Sequence, residues 1–294
     1  MKNKMEKIKY SIGQTLLKVE NVSLSMNDNL ILKNINVEIK NISREGVKQG
    51  QVIGFLGPSG VGKTKLAEVI SGIINQQTVK QMKSQGKDMV LEGGVLVGES
   101  LLPTHVGRIG VVQQQYPLLE HRSVYGNFEI VAKNRFKNKA IAKEKIANML
   151  ETLGLQNHAK YYPANLSGGQ RQRVAIGQAL INCEDFIIFD EPFSGLDPNM
   201  ITKVIKMIQQ LTTQNELLTI IIISHDISAT AAISDTLWLM GKDQDKEGNF
   251  IPGAHIIKQI DLMERGLAWI PEITLQPEFS DLTREIKAIF PSLG

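Results

Sequence analysis

Apolar residues recur along the chain with two periods, one typical of strands and one typical of helices. Over residues 16–39 they alternate with polar residues on either side of a short polar break, which predicts an antiparallel hairpin. An unbroken apolar run at 51–56 predicts a buried strand, and helical spacing over 64–74 predicts a helix soon after it.

Two further apolar runs, at 186–189 and 218–223, are rich in isoleucine. Continuous runs of this kind are typical of strands buried on both faces of a parallel sheet. Amphipathic helices are predicted over 143–153 and 171–181. Because strands and helices alternate along the chain, the pattern indicates an α/β core.

Three stretches carry weaker patterns. Residues 40–49 are polar and predict a turn, and residues 75–91 predict a loop that holds at most one short helix. In the C-terminal region we expect a short strand at 255–260 and a helix whose N-terminus is capped by Ser280 and Asp281. The apolar stripe of that helix favours packing on the protein's own core, and a regulatory or partner-binding role is the alternative.

Composition narrows the class of protein. The 294 residues include 33 Lys and Arg against 30 Asp and Glu, and a net charge of only +3 does not favour a nucleic-acid partner. No apolar stretch approaches the roughly 20 residues that span a bilayer, and the basic N-terminus lacks the apolar segment of a secretory signal. The single Cys183 cannot form an internal disulfide, so we expect a reducing cytoplasm.

The strongest chemical signal lies between the strand at 51–56 and the helix that follows it. It is a loop of the form GxxxxGK[ST], made up of Gly57, Pro58, Ser59, Gly60, Val61, Gly62, Lys63 and Thr64. The glycines let backbone N–H groups turn toward phosphate oxygens, and the helix N-terminus adds partial positive charge. Lys63 can reach the terminal phosphates and the Thr64 hydroxyl can bind Mg²⁺, so the loop predicts a nucleotide site.

Polar residues follow the other two buried strands. Asp190 and Glu191 follow the strand at 186–189, at the strand end where ligands bind in open parallel sheets. Asp190 is a candidate ligand of Mg²⁺, and Glu191 is a candidate to position an attacking water. His225 ends the second and can donate to a γ-phosphate or position a carboxylate, although a lone histidine there is more often structural. The other four histidines show no ligand spacing and are assigned no chemistry.

A second glycine-rich helix start lies before the predicted helix at 171–181. It is made up of Ser167, Gly168, Gly169 and Gln170, and it offers another anion-binding N-terminus. One nucleotide does not need two such sites. The residues alone therefore indicate either a second ligand or a surface that completes the site of another copy.

Together these motifs resemble the nucleotide-binding subunit of an ABC (ATP-binding cassette) transporter, over roughly residues 16–240. The matching motifs are Walker A at 57–64, Walker B at 186–190, the signature at 166–170 and the switch histidine at His225. The resemblance implies that Glu191 and His225 are catalytic. It also implies that the signature acts on the ATP held by a second copy.

Three further site residues follow from the resemblance alone. Asp197 falls in the D-loop. Gln114 matches the Q-loop glutamine, a metal ligand beside Thr64 and Asp190, with the adjacent Gln113 and Gln115 as the alternatives. Met26 stands where the family usually places an aromatic residue that stacks on adenine.

The resemblance implies an α/β fold: a P-loop NTPase (RecA-like) core with an antiparallel β subdomain and a helical signature subdomain. The nucleotide-binding domain is expected over 14–243, with its helical subdomain at about 115–166. Residues 244–294 are expected to form a C-terminal extension.

The implied function is Mg²⁺-dependent ATP hydrolysis that powers solute transport through separate integral membrane permease subunits. The working form is a head-to-tail dimer with a second copy or a paralogous ATPase. The Tyr162–Pro163 pair and the lack of an attached membrane domain resemble a bacterial importer, peripheral at the cytoplasmic face of the inner membrane. The alternative is a non-transport ABC ATPase of DNA repair, translation or regulation. One cassette without a sustained heptad argues against the first two.

Overall fold

The computed structural model describes residues 9–113, 115, 117–183, 185–270 and 272–294, with Gln214 described by its backbone only. The strands are β1 (Tyr10–Met26), β2 (Asn29–Arg44), β3 (Gln51–Leu56), β4 (Met89–Val97), β5 (Leu102–Pro103), β6 (Gly110–Val112), β7 (Phe186–Asp190), β8 (Thr219–Ser224), β9 (Thr236–Gln244) and β10 (Phe250–Asp261). The α-helices are α1 (Lys63–Ile70), α2 (Gln76–Ser84), α3 (Val124–Arg135), α4 (Lys139–Thr152), α5 (Gly168–Asn182), α6 (Pro198–Gln214), α7 (Ile227–Ala231) and α8 (Pro277–Ile289).

The ten strands form one sheet in the order β5-β4-β1-β2-β10-β9-β3-β8-β7-β6. Strands β9, β3, β8, β7 and β6 run parallel, while β1 pairs antiparallel with β2 and β4. Every residue of β3 and β8 is buried, as expected for strands covered on both faces. The predicted α/β P-loop fold with an antiparallel β region is confirmed.

Three apolar clusters flank this sheet. One joins α1 to the antiparallel strands, and a second joins α3, α4 and α5 to β7 and β8. The third holds the buried side chains of Phe279, Leu282 and Ile286 on α8, together with residues of β9 and β10. The apolar stripe of the C-terminal helix therefore packs on the protein's own core.

Two predicted boundaries differ because of local backbone geometry. Helix α1 ends at Ile70, four residues before the predicted end, and Gly72 follows with a left-handed φ of 76°. Helix α8 begins at Pro277, and Gln276 before it makes no side-chain cap, so the predicted capping pair lies inside the first turns. Proline suits the first helical position because its fixed φ is already helical.

Two polar stretches hold more regular structure than their composition predicts. Strand β2 continues to Arg44, inside the predicted turn, because the inward-facing Arg44 finds a buried ion-pair partner. The stretch 75–91 holds one short helix, α2, as predicted, and its last residues already belong to β4.

The boundary predicted at residue 243 falls within the last residues of β9. Strand β10, in the predicted extension, pairs antiparallel with β9 and meets β2 through Ala254 and Leu32. The extension thus begins within the main sheet, and the domain limits stay a prediction. No helix in the described part of the chain has the length and apolar character needed to cross a membrane.

Candidate functional site

The glycine-rich loop leaves the carboxyl end of β3 and leads into α1. Gly60 and Gly62 adopt φ values of 80° and 110°, a region that residues with a Cβ rarely enter. A Cβ at Gly62 would also lie 3.2 Å from Ile31 Cγ2 and 3.3 Å from Leu32 Cδ2. The backbone turn and the close approach of β2 therefore both require glycine.

Lys63 is the cation of this loop, and only 5% of its side chain is exposed. Its Nζ donates to the carbonyl oxygens of Gly57 at 2.7 Å and Pro58 at 2.9 Å, and it lies 3.8 Å from Glu191 Oε1. Burial lowers the pKa of Lys63, while the negative charges of Glu191 and Asp190 oppose that shift. The ammonium is thus partly removed from water at the loop, which favours an anionic ligand.

Thr64 and Asp190 form a pair of oxygen donors beside Lys63. The Thr64 hydroxyl donates to Asp190 Oδ1 at 3.3 Å. Burial raises the pKa of Asp190, and the Thr64 hydrogen bond and Lys63 oppose the shift. Hard oxygen donors beside a phosphate site fit Mg²⁺, which usually binds through one or two protein groups plus phosphate oxygens. Gln114, the other predicted metal ligand, lies outside the described residues.

Glu191 connects the loop to His225. Its backbone has a left-handed φ of 53°, unusual for a non-glycine residue, and its N–H donates to Ile223 O at 2.8 Å. Its Oε2 lies 2.8 Å from His225 Nδ1, and Ser224 Oγ donates to Oε2 at 3.5 Å. An ionised carboxylate only accepts, so Nδ1 is the donor. The structure thus brings Lys63, Glu191 and His225 into one chain of contacts.

The signature residues form the start of α5. The Ser167 side chain accepts from Gln170 N at 3.3 Å, and Gln170 Oε1 accepts from Ser167 N at 2.8 Å, a complete capping box. Asp197 caps α6 by accepting from Asn199 N and Met200 N. Among the residues that the structure describes, no hydrogen bond or ion pair joins either group to the loop 57–64.

Met26 ends β1 and packs, partly buried, against the apolar cluster around α1. Two other positions have contacts that the sequence analysis missed. Ser224 supports Glu191, and His158 Nε2 lies 2.9 Å from Gln170 Nε2. Spacing could not reveal the second contact, because it joins separate elements whose residues lie 12 positions apart.

Comparison with known proteins identifies the family of this chain. The ABC transporter family model matches residues 39–194. A probable amino-acid ABC transporter ATP-binding protein of Haemophilus influenzae is 33% identical over 242 residues, 80% of this chain and 88% of that protein. The glutamate/aspartate import ATP-binding protein GltL of Escherichia coli K12 is 36% identical over 197 residues, 66% of this chain and 77% of GltL.

Among solved structures, cbiO1 from Clostridium perfringens, part of the ABC transporter complex cbiONQ, superposes with a TM-score of 0.65. It is 26% identical and the match covers 94% of this chain and 96% of cbiO1. The chain therefore belongs to the ABC transporter family. It is an ATP-binding subunit of the importer type that hydrolyses ATP to drive transport, as the resemblance predicted.

Proposed function

We propose that the chain is the Mg²⁺-dependent ATPase of an importer for an amino acid, and that it works as a head-to-tail dimer. The observation that carries the catalytic part is the chain of contacts from Lys63 through Glu191 to His225. The substrate class is supported by the relatives, which include an amino-acid and a glutamate/aspartate transporter protein.

Each residue of the site has a distinct part in hydrolysis. Phosphate oxygens take over the donors of Lys63 from the carbonyls of Gly57 and Pro58, and the loop N–H groups bind the remaining oxygens. Thr64 and Asp190 would hold Mg²⁺, which neutralises phosphate charge when bound. Glu191 accepts a hydrogen bond from the attacking water and orients it, and the His225 N–H keeps the carboxylate in place.

The signature supports the dimer. Its capped helix start presents backbone N–H groups and the Ser167 side chain, yet it makes no hydrogen bond or ion pair with the phosphate loop among the described residues. The N-terminus of a helix favours an anion, and a second copy can supply one. In the proposed dimer, Ser167, Gly168, Gly169 and Gln170 close over the ATP held by the other copy, with Asp197 nearby at the start of α6.

A groove supports docking on a membrane permease at the cytoplasmic face. It has a volume of about 410 Å³ and lies between the β6 edge and helices α3 and α5, with Gln113, Val131 and Gln178 in its lining. Ile73 and Val106, also in the lining, are 39% and 66% exposed. Exposed apolar side chains around a groove are typical of protein interaction sites.

The decisive experiment replaces Glu191 with glutamine. Glu191→Gln keeps Lys63 and the loop amides, so ATP binding should stay within a few fold of wild type, while turnover falls about 10²–10⁴-fold. The variant should then accumulate as an ATP-bound dimer in size-exclusion chromatography. Glu247→Gln, in the exposed β9–β10 turn, is the matched control. Wild-type turnover in Glu191→Gln would refute the catalytic assignment, and an ATP-bound monomer at every concentration would refute the dimer.

A further inference from the structure

The side-chain amide of Gln170 has two partners with opposite requirements. Its Oε1 accepts from Ser167 N at 2.8 Å, and this bond is half of the capping box that starts the signature helix. Its Nε2 faces His158 Nε2 at 2.9 Å. Exchanging the amide oxygen and nitrogen would set Nε2 against the Ser167 N–H, donor against donor, so the capping box determines which amide atom faces the histidine.

This orientation also determines the proton positions on His158. Because Gln170 Nε2 is a donor, His158 Nε2 must be the acceptor, and in a neutral ring the proton then lies on Nδ1. His158 Nδ1 is buried and has no hydrogen-bond partner among the described residues. A protonated ring would carry N–H on both nitrogens and would oppose the Gln170 amide.

We infer that His158 is a positioning residue for the signature: its neutral ring accepts from Gln170 and holds the amide that caps Ser167. This inference rests on the proposed function, in which the signature acts on the ATP of the second copy. It assigns a role in the composite site to a residue outside the family motifs.

The ring of His158 also contacts an aromatic side chain. Tyr161 packs against it edge-on, with ring centroids 5.2 Å apart. Arg171, next to Gln170 in the sequence, is paired with Glu120. Within the described residues, the histidines that form ion pairs with carboxylates are His225 and His255, not His158.

The test compares an acceptor with a donor at this position in the full chain. His158→Gln can still accept from Gln170 and does not titrate, whereas His158→Lys can only donate. At pH 7.5 we expect His158→Gln to keep kcat within about twofold of wild type, and His158→Lys to lose about three- to tenfold, the range for one hydrogen bond. Binding of ATP to the monomer should be unchanged in both, because it depends on the loop 57–64.

His121→Gln, at an exposed histidine, should keep the kcat of wild type. Equal kcat values for His158→Gln and His158→Lys would overturn the inference.

The tautomer can be read without any turnover. In a long-range ¹H–¹⁵N spectrum of the wild-type chain at pH 7.5, His158 should show a protonated Nδ1 and an unprotonated Nε2. A proton on Nε2 would overturn the inference even if the ATPase variants behave as expected. A wild-type chain without ATPase activity would refute the proposed function instead, and the tautomer would then decide the His158–Gln170 contact alone.

Discussion

A buried ion pair ties the start of the phosphate-loop strand to the C-terminal region. Asp235 Oδ2 accepts from Arg44 at 3.1 Å and from Val52 N at 2.7 Å, and Oδ1 accepts from Trp269 Nε1. The side chains of Arg44 and Asp235 are 1% and 3% exposed, and the Arg44 guanidinium lies 4.2 Å from the centre of the Trp269 ring. Replacing Asp235 with asparagine would leave the Arg44 cation buried without its counter-charge.

The expected cost is large. Removing one partner of a buried ion pair destabilises a protein by about 3–5 kcal/mol. With an unfolding entropy of about 2.1 cal/mol/K per residue, the 294 residues give about 0.6 kcal/mol/K. Asp235→Asn should therefore lower Tm by about 5–8 °C in differential scanning calorimetry.

Two variants make this result interpretable. Asp243→Asn removes an exposed carboxylate that pairs with Lys33 and His255, so it should cost less than about 1 kcal/mol, or less than about 2 °C. Arg44→Met combined with Asp235→Asn removes both charges and should be more stable than Asp235→Asn alone. If Asp235→Asn melts within 2 °C of wild type, the cluster does not stabilise the fold as argued.

Two further predictions concern the adenine position and the C-terminal helix. Methionine packs on a base with little geometric demand, so wild type should use GTP within about tenfold of ATP. An aromatic ring at this position stacks on the base, so Met26→Tyr should lower the KM for ATP at constant kcat. A thousandfold preference of wild type for ATP over GTP would refute this. Hydrogen bonds from Arg265 and Lys258 lower the pKa of Glu285 from 4.5 to about 2. A lowered carboxyl pKa stabilises the fold above pH 4.5, and this contribution is lost as the pH falls through 2. The Tm difference between wild type and Glu285→Gln should therefore shrink from pH 5 to pH 2. A Tm difference that stays constant over this range would contradict the prediction.

Much of the fold follows from short stretches of sequence. The buried strands at 51–56, 186–189 and 218–223 were predicted because an apolar run is a local property of neighbouring residues. The phosphate loop was predicted for the same reason, since its glycines, Lys63 and Thr64 are contiguous. Polar residues at the ends of strands were harder to predict from the sequence. The turn predicted at 40–49 begins as strand, because Arg44 is buried by an ion-pair partner that lies 191 residues away in the sequence.

In the candidate site, the motifs were predictable from the sequence, whereas the contacts between them depend on the fold. Each motif was predicted from its own residues, and the ABC transporter family confirms the class of protein that they indicate. The distances between motifs depend on the order of strands in the sheet, which places Glu191 beside Lys63 and His225 although they are far apart in sequence. The same holds for His158, which met no ligand pattern and became relevant only where its ring meets Gln170. Chain-local geometry can be deduced from residue types, whereas contacts between elements arise from packing, and packing is a property of the whole folded chain.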